Sequence, residues 1–189
     1  MHLVVTAGPT REYLDPVRFL SNGSSGLTGF LAAEAAAARG HRVTLVTGPV
    51  ALEPPAGVEV VRVVSAEEMY RAVTSVFPTA DAVVMTAAVC DYRPARVSPH
   101  KVKKSPGSRA LTLVRTPDIL AELGRRKQPG QVLIGFALED RRPRAAARDK
   151  LRRKNLDAIV LNSPAALGSE RNRVQVLAGG RWTKWPAMP

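Results

Sequence analysis

Leu3-Val4-Val5-Thr6-Ala7-Gly8-Pro9-Thr10-Arg11 begins as a short apolar run rich in β-branched residues and stops at a glycine and a proline. A run without clean alternation reads as a strand buried on both faces, of the kind found in a parallel sheet covered by helices. Similar runs recur at Val43 to Val46, Val58 to Val63, Ala82 to Met85, Val132 to Phe136 and Ala158 to Leu161. Helical stretches lie between them. Ser25 to Arg39 is Ala-rich and ends at Gly40, and Ala66 to Phe77 follows Ser65 and Glu68 in capping-box spacing. Pro117 to Arg126 has Thr116 as its expected N-cap with Pro117 in the first turn, and Arg141 to Lys154 is the fourth helix. Strand and helix alternate through most of the chain. That order predicts an α/β fold, a doubly wound, mostly parallel, Rossmann-like sheet in three layers.

Two stretches break the rhythm. Residues 93–109 carry Arg93, Arg96, Lys101, Lys103, Lys104 and Arg109 among Pro, Ser and Gly, and read as a long mobile basic arm. Arg173 to Leu177 and Arg181 to Trp185 flank Gly179-Gly180 and read as a closing C-terminal hairpin.

The length of 189 residues suits one domain over 1–189. No apolar run approaches the roughly 20 residues needed to span a bilayer, and the first thirty residues lack a signal-peptide pattern, which predicts a cytoplasmic protein with no membrane partner. Cys90 is the single cysteine, so no internal disulfide forms, and His2, His41 and His100 are too scattered for a local metal motif. The net charge of +12 invites a polyanion, which composition alone leaves open among nucleic acid, an acidic membrane and a small phosphorylated ligand.

The chemistry-bearing residues cluster at strand ends. Ser21-Asn22-Gly23-Ser24-Ser25-Gly26-Leu27-Thr28-Gly29 opens the first helix, where glycines allow close backbone approach and free N–H groups favour phosphate. The same glycines also serve close helix–strand packing. Neither the dinucleotide fingerprint nor a Walker motif is present. Ala87-Ala88-Val89-Cys90-Asp91 follows the fourth predicted strand, where a doubly wound sheet places its ligand crevice; Asp91 suits either a ribose hydroxyl or a turn cap. Cys90 has no histidine nearby in sequence and reads as a small buried side chain. Lys101-Val102-Lys103-Lys104 offers cations to phosphate or simply a solvated face, and Lys150 and Lys154 share a helix face at i, i+4.

Taken in order, these segments resemble phosphopantothenoylcysteine synthetase, the C-terminal synthetase domain of a bacterial bifunctional decarboxylase/synthetase family. The resemblance rests on Thr6-Ala7-Gly8-Pro9-Thr10-Arg11-Glu12 with Asp15-Pro16-Val17-Arg18-Phe19, the loop at 21–29, Ala87-Ala88-Val89 with Asp91-Tyr92, Lys101 with Lys103-Lys104, and Thr116-Pro117-Asp118-Ile119-Leu120. Gly135-Phe136-Ala137 with Glu139, Lys154-Asn155-Leu156-Asp157 and Asn162 complete it.

The resemblance implies a ligase that joins 4'-phosphopantothenate to L-cysteine in coenzyme A biosynthesis. The carboxylate attacks the α-phosphate of CTP (or ATP), giving an acyl-nucleotide and pyrophosphate, and the cysteine amine then displaces the nucleoside monophosphate. It implies Mg2+ with the nucleoside triphosphate, a homodimer, and no flavin, since the flavin-dependent decarboxylase half has no counterpart here; a separate decarboxylase is an allowed partner. Carried over residue by residue, Asn22 holds the acyl-nucleotide and Lys101 stabilises charge on the α-phosphate. Gly8, Ser24, Ser25, Gly26, Ala88, Asp91, Pro117, Asp118, Ile119, Leu120, Phe136, Lys150 and Lys154 bind nucleotide. No metal ligand is assigned. Leu27, Leu138 and Ser163 depart from the family pattern, and the loop at 165–172 keeps only Gly168, Ser169 and Asn172.

Two other classes compete. A nicotinamide-dependent reductase would need the glycine fingerprint and a Tyr-x-x-x-Lys pair, but Tyr13, Tyr70 and Tyr92 are followed four residues on by Val17, Thr74 and Arg96. A nucleic-acid-binding module fits the charge, but aromatic residues are only 5% and no such motif occurs, so no nucleic-acid partner is expected. An inactive or altered-specificity relative is the third reading.

Overall fold

The computed structural model describes residues 1–162 and 174–185. The opening run forms β1 (His2–Ala7), with Val4, Val5, Thr6 and Ala7 wholly buried. It pairs in parallel with β4 (Arg42–Thr47) on one side and β6 (Ala82–Met85) on the other, which is why its apolar residues do not alternate. β5 (Glu59–Arg62), β9 (Val132–Leu138) and β10 (Ala158–Asn162) extend the parallel part. The hairpin β11 (Gln175–Ala178) and β12 (Arg181–Lys184) adds antiparallel to β10, giving the order β12-β11-β10-β9-β6-β1-β4-β5. Arg173 of the expected hairpin, Ser163 and the 165–172 loop lie outside the described residues. The chain winds outward from β1 through β4 and β5, then returns to β6 on the other side. The strand order therefore switches between β1 and β6, the position where doubly wound sheets bind ligands.

Helices α1 (Leu27–Ala37), α2 (Ala66–Val76), α3 (Ile119–Arg126) and α4 (Pro143–Arg153) cover both faces. One core, with Met69, Val73, Leu123, Leu133 and Ile159 fully buried, lies under α2, α3 and α4; Phe30 and Ala33 of α1 pack with Val5, Val43 and Leu45 in the other. At α2 the N-cap half of the capping box forms as its spacing predicts, with Glu68 N–H donating to Ser65 Oγ at 3.2 Å, while the Glu68 carboxylate reaches one residue past the cap and accepts Val64 N–H at 2.7 Å.

Two expectations are corrected. α3 begins at Ile119 with Asp118 as N-cap, so Pro117 precedes the helix and Thr116 instead donates its hydroxyl to Cys90 O. The Asp118 carboxylate accepts Ala121 N–H, a role the Thr116 side chain cannot fill from two residues further back. The basic arm begins as strand and not as loop: Arg93 and Pro94 belong to β7 (Tyr92–Pro94), which pairs antiparallel with β8 (Leu113–Arg115) beyond the arm, and a second ribbon, β2 (Arg11–Tyr13) with β3 (Phe19–Ser21), stands beside it. Among the described residues, no helix is long and apolar enough to cross a membrane.

Candidate nucleotide site

The C-terminal ends of β6 and β9 open onto a cavity of about 450 Å3. Met85 and Phe136 from the strands and Ala87 and Val89 from the segment after β6 line it with Thr116, Pro117, Asp118, Ile119 and Leu120 at the approach to α3, Lys150 and Lys154 at the end of α4, and Asp91, Tyr92 and Arg115 from the base of the basic arm. Eight of the expected nucleotide residues thus meet in one space: Asp91, Pro117, Asp118, Ile119, Leu120, Phe136, Lys150 and Lys154.

The charges in this cavity are tied to the scaffold. Lys150 Nζ donates to Phe136 O at 2.7 Å, and burial, aided by the like charge of Lys154, pushes its pKa below the usual lysine range. Lys154 Nζ lies 2.8 Å from Asp118 Oδ1. Burial opposes ionisation of Asp118, but hydrogen bonds from Lys154 and Ala121 N–H and the charges of Lys154 and Lys150 outweigh it, so its pKa is lowered. The position of Lys154 is itself fixed by backbone clearance. A Cβ on Gly124 of α3 would come within 2.0 Å of Lys154 O, and Asn155 Nδ2 donates to Gly124 O at 2.9 Å.

A second group lies beside the cavity at the switch between β1 and β6. Ala88 N–H donates to Gly8 O and Ala88 O accepts Thr10 N–H, while Asn22 Nδ2 donates to the same Ala88 O at 2.9 Å. A Cβ on Gly26 would stand 3.1 Å from Gly8 N, so Gly8, Gly26, Asn22 and Ala88 form one cluster. Ala88 joins it to the cavity, since its neighbours Ala87 and Val89 are lining residues. The glycines divide their work. Gly26 takes φ 83 at the N-cap of α1, and Gly29 is a packing residue, because a Cβ there would meet Ala7 Cβ and Thr86 Oγ1 at 2.5 Å. Gly23 has open space around it. The Ser24 and Ser25 hydroxyls accept Gly26 and Leu27 N–H within their own loop.

Lys101 joins neither group. It is exposed on the basic arm, next to Val102, whose N–H and C=O bond Asp15 and Arg18 at the turn between β2 and β3. Asn22 follows the opposite end of that ribbon, and among the described residues no hydrogen bond joins it to Lys101.

Residues 1–189 match the family described as DNA/pantothenate metabolism flavoprotein C-terminal domain. The chain belongs to this family. Among pantothenate-flavoprotein C-terminal domains and the proteins that carry them, the coenzyme A biosynthesis bifunctional protein CoaBC of Bacillus subtilis is 50% identical over 169 residues, or 89% of this chain and 41% of that protein. The CoaBC of Mycobacterium tuberculosis strain H37Rv is 47% identical over 172 residues, covering 85% and 41%. The chain thus spans about two fifths of the length of these curated relatives. The crystal structure of a CoaBC C-terminal domain superposes with a TM-score of 0.85 at 42% identity, covering all of this chain and 87% of that one. A Cab2 variant in complex with phosphopantothenate-cysteine shares the fold, with a TM-score of 0.83 at 17% identity over 97% and 80% of the two chains.

Sequence reasoning missed Met85, Ala87, Val89, Tyr92, Arg115 and Thr116 as lining residues. Arg115 is the consequential omission, a third cation in the cavity, and the only signal for it was the alternation of Leu111 and Leu113 leading into it. Cys90 is buried, and its thiol pKa is raised chiefly by that burial, which keeps it protonated at neutral pH and suits a packing role. Among the described residues there is no group of three or more His, Cys, Asp or Glu able to hold a metal ion.

Proposed function

We propose that this domain joins 4'-phosphopantothenate to L-cysteine through an acyl-nucleotide intermediate, as a step of coenzyme A biosynthesis. The observation that carries the reading is the convergence of Asp91, Pro117 to Leu120, Phe136, Lys150 and Lys154 on one cavity, in a chain 50% identical to a coenzyme A biosynthesis protein over most of its length. The cavity suits a nucleoside triphosphate, with CTP preferred to ATP. Lys150, Lys154 and Arg115 supply positive charge, and backbone carbonyls such as Phe136 O supply acceptors.

Attack of the acid carboxylate on the α-phosphate concentrates negative charge on the phosphoryl oxygens and on the leaving pyrophosphate. That demands fixed cations and amide donors more than an acid–base pair. Asn22 is held through Ala88 O beside the cavity, where its amide holds the acyl-nucleotide, and Lys101 approaches the α-phosphate within a homodimer. Mg2+ fits this donor set, because it is commonly held by one or two carboxylates together with substrate phosphates. Asp91 is the cavity carboxylate with no ion pair among the described residues, and would hold the ion. The ion supplies charge neutralisation on the triphosphate. A cytoplasmic setting and a separate decarboxylase partner complete the reading.

The test is pyrophosphate release from CTP or ATP with 4'-phosphopantothenate, run with and without cysteine. Release without cysteine, accompanied by a trapped acyl-nucleotide, supports the two-step scheme. Release that does not depend on the acid, or no release with either nucleotide, defeats it.

A further inference from the structure

The turn between β2 and β3 contains a buried carboxylate that this chemistry leaves unused. The Asp15 side chain is fully buried, and five N–H donors converge on it. Oδ1 accepts Val17 and Arg18 N–H at 2.9 Å each; Oδ2 accepts Arg18 Nε at 3.0 Å, Arg18 Nη2, and Val102 N–H at 3.1 Å. The Arg18 guanidinium, working against burial, holds the carboxyl well below the usual carboxylate range, so the pair stays charged at any physiological pH.

Four of these bonds are local and would serve only to shape the turn. The fifth reaches a residue distant in sequence, and Arg18 Nη2 in turn donates to Val102 O. Asp15 and Arg18 thus take both backbone groups of Val102, as a neighbouring strand would. Ser98 N–H donates to Leu14 O at 2.9 Å on the same turn. Lys101 stands between these anchors on an arm that is otherwise exposed from 95 to 112 except for partial cover at Ser98 and Val102. An unanchored lysine on such an arm must lose its freedom at the moment of reaction, whereas one already restrained has lost it on folding.

We propose that Asp15 is a positioning residue for Lys101: through Arg18 and the backbone of Val102 it fixes where the arm lysine stands relative to the nucleotide. This rests on the reading of Lys101 as the α-phosphate cation. The turn of the β2–β3 ribbon holds the arm, so the place of Lys101 is set by the fold of its own chain before a partner is met.

The test combines amide hydrogen exchange with single-turnover pyrophosphate release in the full chain. In Asp15→Ala, exchange at Val102 rises by about tenfold or more while amides of β1 keep their protection. Acyl-nucleotide formation falls roughly tenfold to a hundredfold, the range expected when a catalytic group is misplaced by about 1 Å. Nucleotide affinity stays within about twofold, since the cavity is untouched. Asp15→Asn, which retains the volume and one carbonyl oxygen, restores part of the rate. Combined with Lys101→Gln, Asp15→Ala adds no further loss, because both act through the same cation. Losses that multiply, or unchanged Val102 exchange in the folded variant, overturn the proposal. If Asp15→Ala does not fold, Arg18→Gln releases Val102 O and the guanidinium bonds to Asp15 without altering the arm itself, and is expected to give a kinetic defect of the same kind; a wild-type rate there overturns it. A wild-type chain that releases no pyrophosphate removes the proposed reaction itself, and Val102 exchange still reports whether Asp15 holds the arm.

Discussion

Lys154 and Asp118 are ion-paired at 2.8 Å across the cavity, one from the end of α4 and the other from the N-cap of α3. Asp118 therefore does two jobs that separate variants can divide. Asn caps helices as well as Asp, so Asp118→Asn should cost well under about 1 kcal/mol, whereas Asp118→Ala should cost about 1 kcal/mol. Both relieve Lys154 of its counterion, and nucleotide should bind a few-fold more tightly. Urea unfolding and calorimetric titration measure the two effects; equal stability of the two variants would argue against the capping role.

The same carboxylate gives a signed pH dependence. Its folded pKa lies below the unfolded value of about 3.9, so its contribution to stability is fully present above that value and is lost as pH falls through the lowered folded one. Acid unfolding of Asp118→Asn should show a correspondingly flatter slope in that window.

Lys150 acts at the opposite end of the scale. Its depressed pKa means that the unfolded state binds more protons between the lowered value and about 10.4, so stability gains as pH rises through that window. A bound triphosphate favours the charged amine, so nucleotide binding there should take up protons. Titration in two buffers of different ionisation enthalpy measures the uptake, and Lys150→Met should abolish it.

Gly23 in the loop and Gly29 in the first turn of α1 should respond differently. Gly29→Ala forces a methyl group against Ala7, Thr86 and Thr6 O and should destabilise by about 1 to 3 kcal/mol. Gly23→Ala meets nothing within 4 Å and should stay within about 0.5 kcal/mol of the parent. Thermal unfolding of the two single variants decides the matter.

Arg115 lines the cavity from an exposed position on β8. Arg115→Met should raise the nucleotide KM roughly tenfold, the scale of one charge-assisted hydrogen bond, with little change in unfolding midpoint. An unchanged KM would mean that the side chain faces solvent when nucleotide is bound.

The six strands and four helices were legible because each buries a long patterned segment; Val4, Val83 and Ile159 mark strands by composition alone. The two ribbons were not. Arg11-Glu12-Tyr13 and Tyr92-Arg93-Pro94 are three residues long with mixed polarity, and they become strands only through partners that lie further along the chain. Arg115 was missed for this reason, since it comes to the cavity through its pairing with Tyr92. Thr116 was misread because an N-cap signal and a Pro signal sat two residues before the helix that Asp118 caps. The expected nucleotide residues come from the resemblance; that eight of them share one cavity depends on the placing of α3, α4 and β9, which no local pattern encodes.

The glycine at 124 touches no predicted ligand, yet it determines how near α4 can come to α3 and so where the Lys154 side chain begins. Mutational freedom in this domain should therefore not track distance from the chemistry. A methyl group on the outer helix layer is expected to be less tolerated than many changes made inside the pocket, and a library sorted on nucleotide affinity should recover position 124 as a hidden determinant of it.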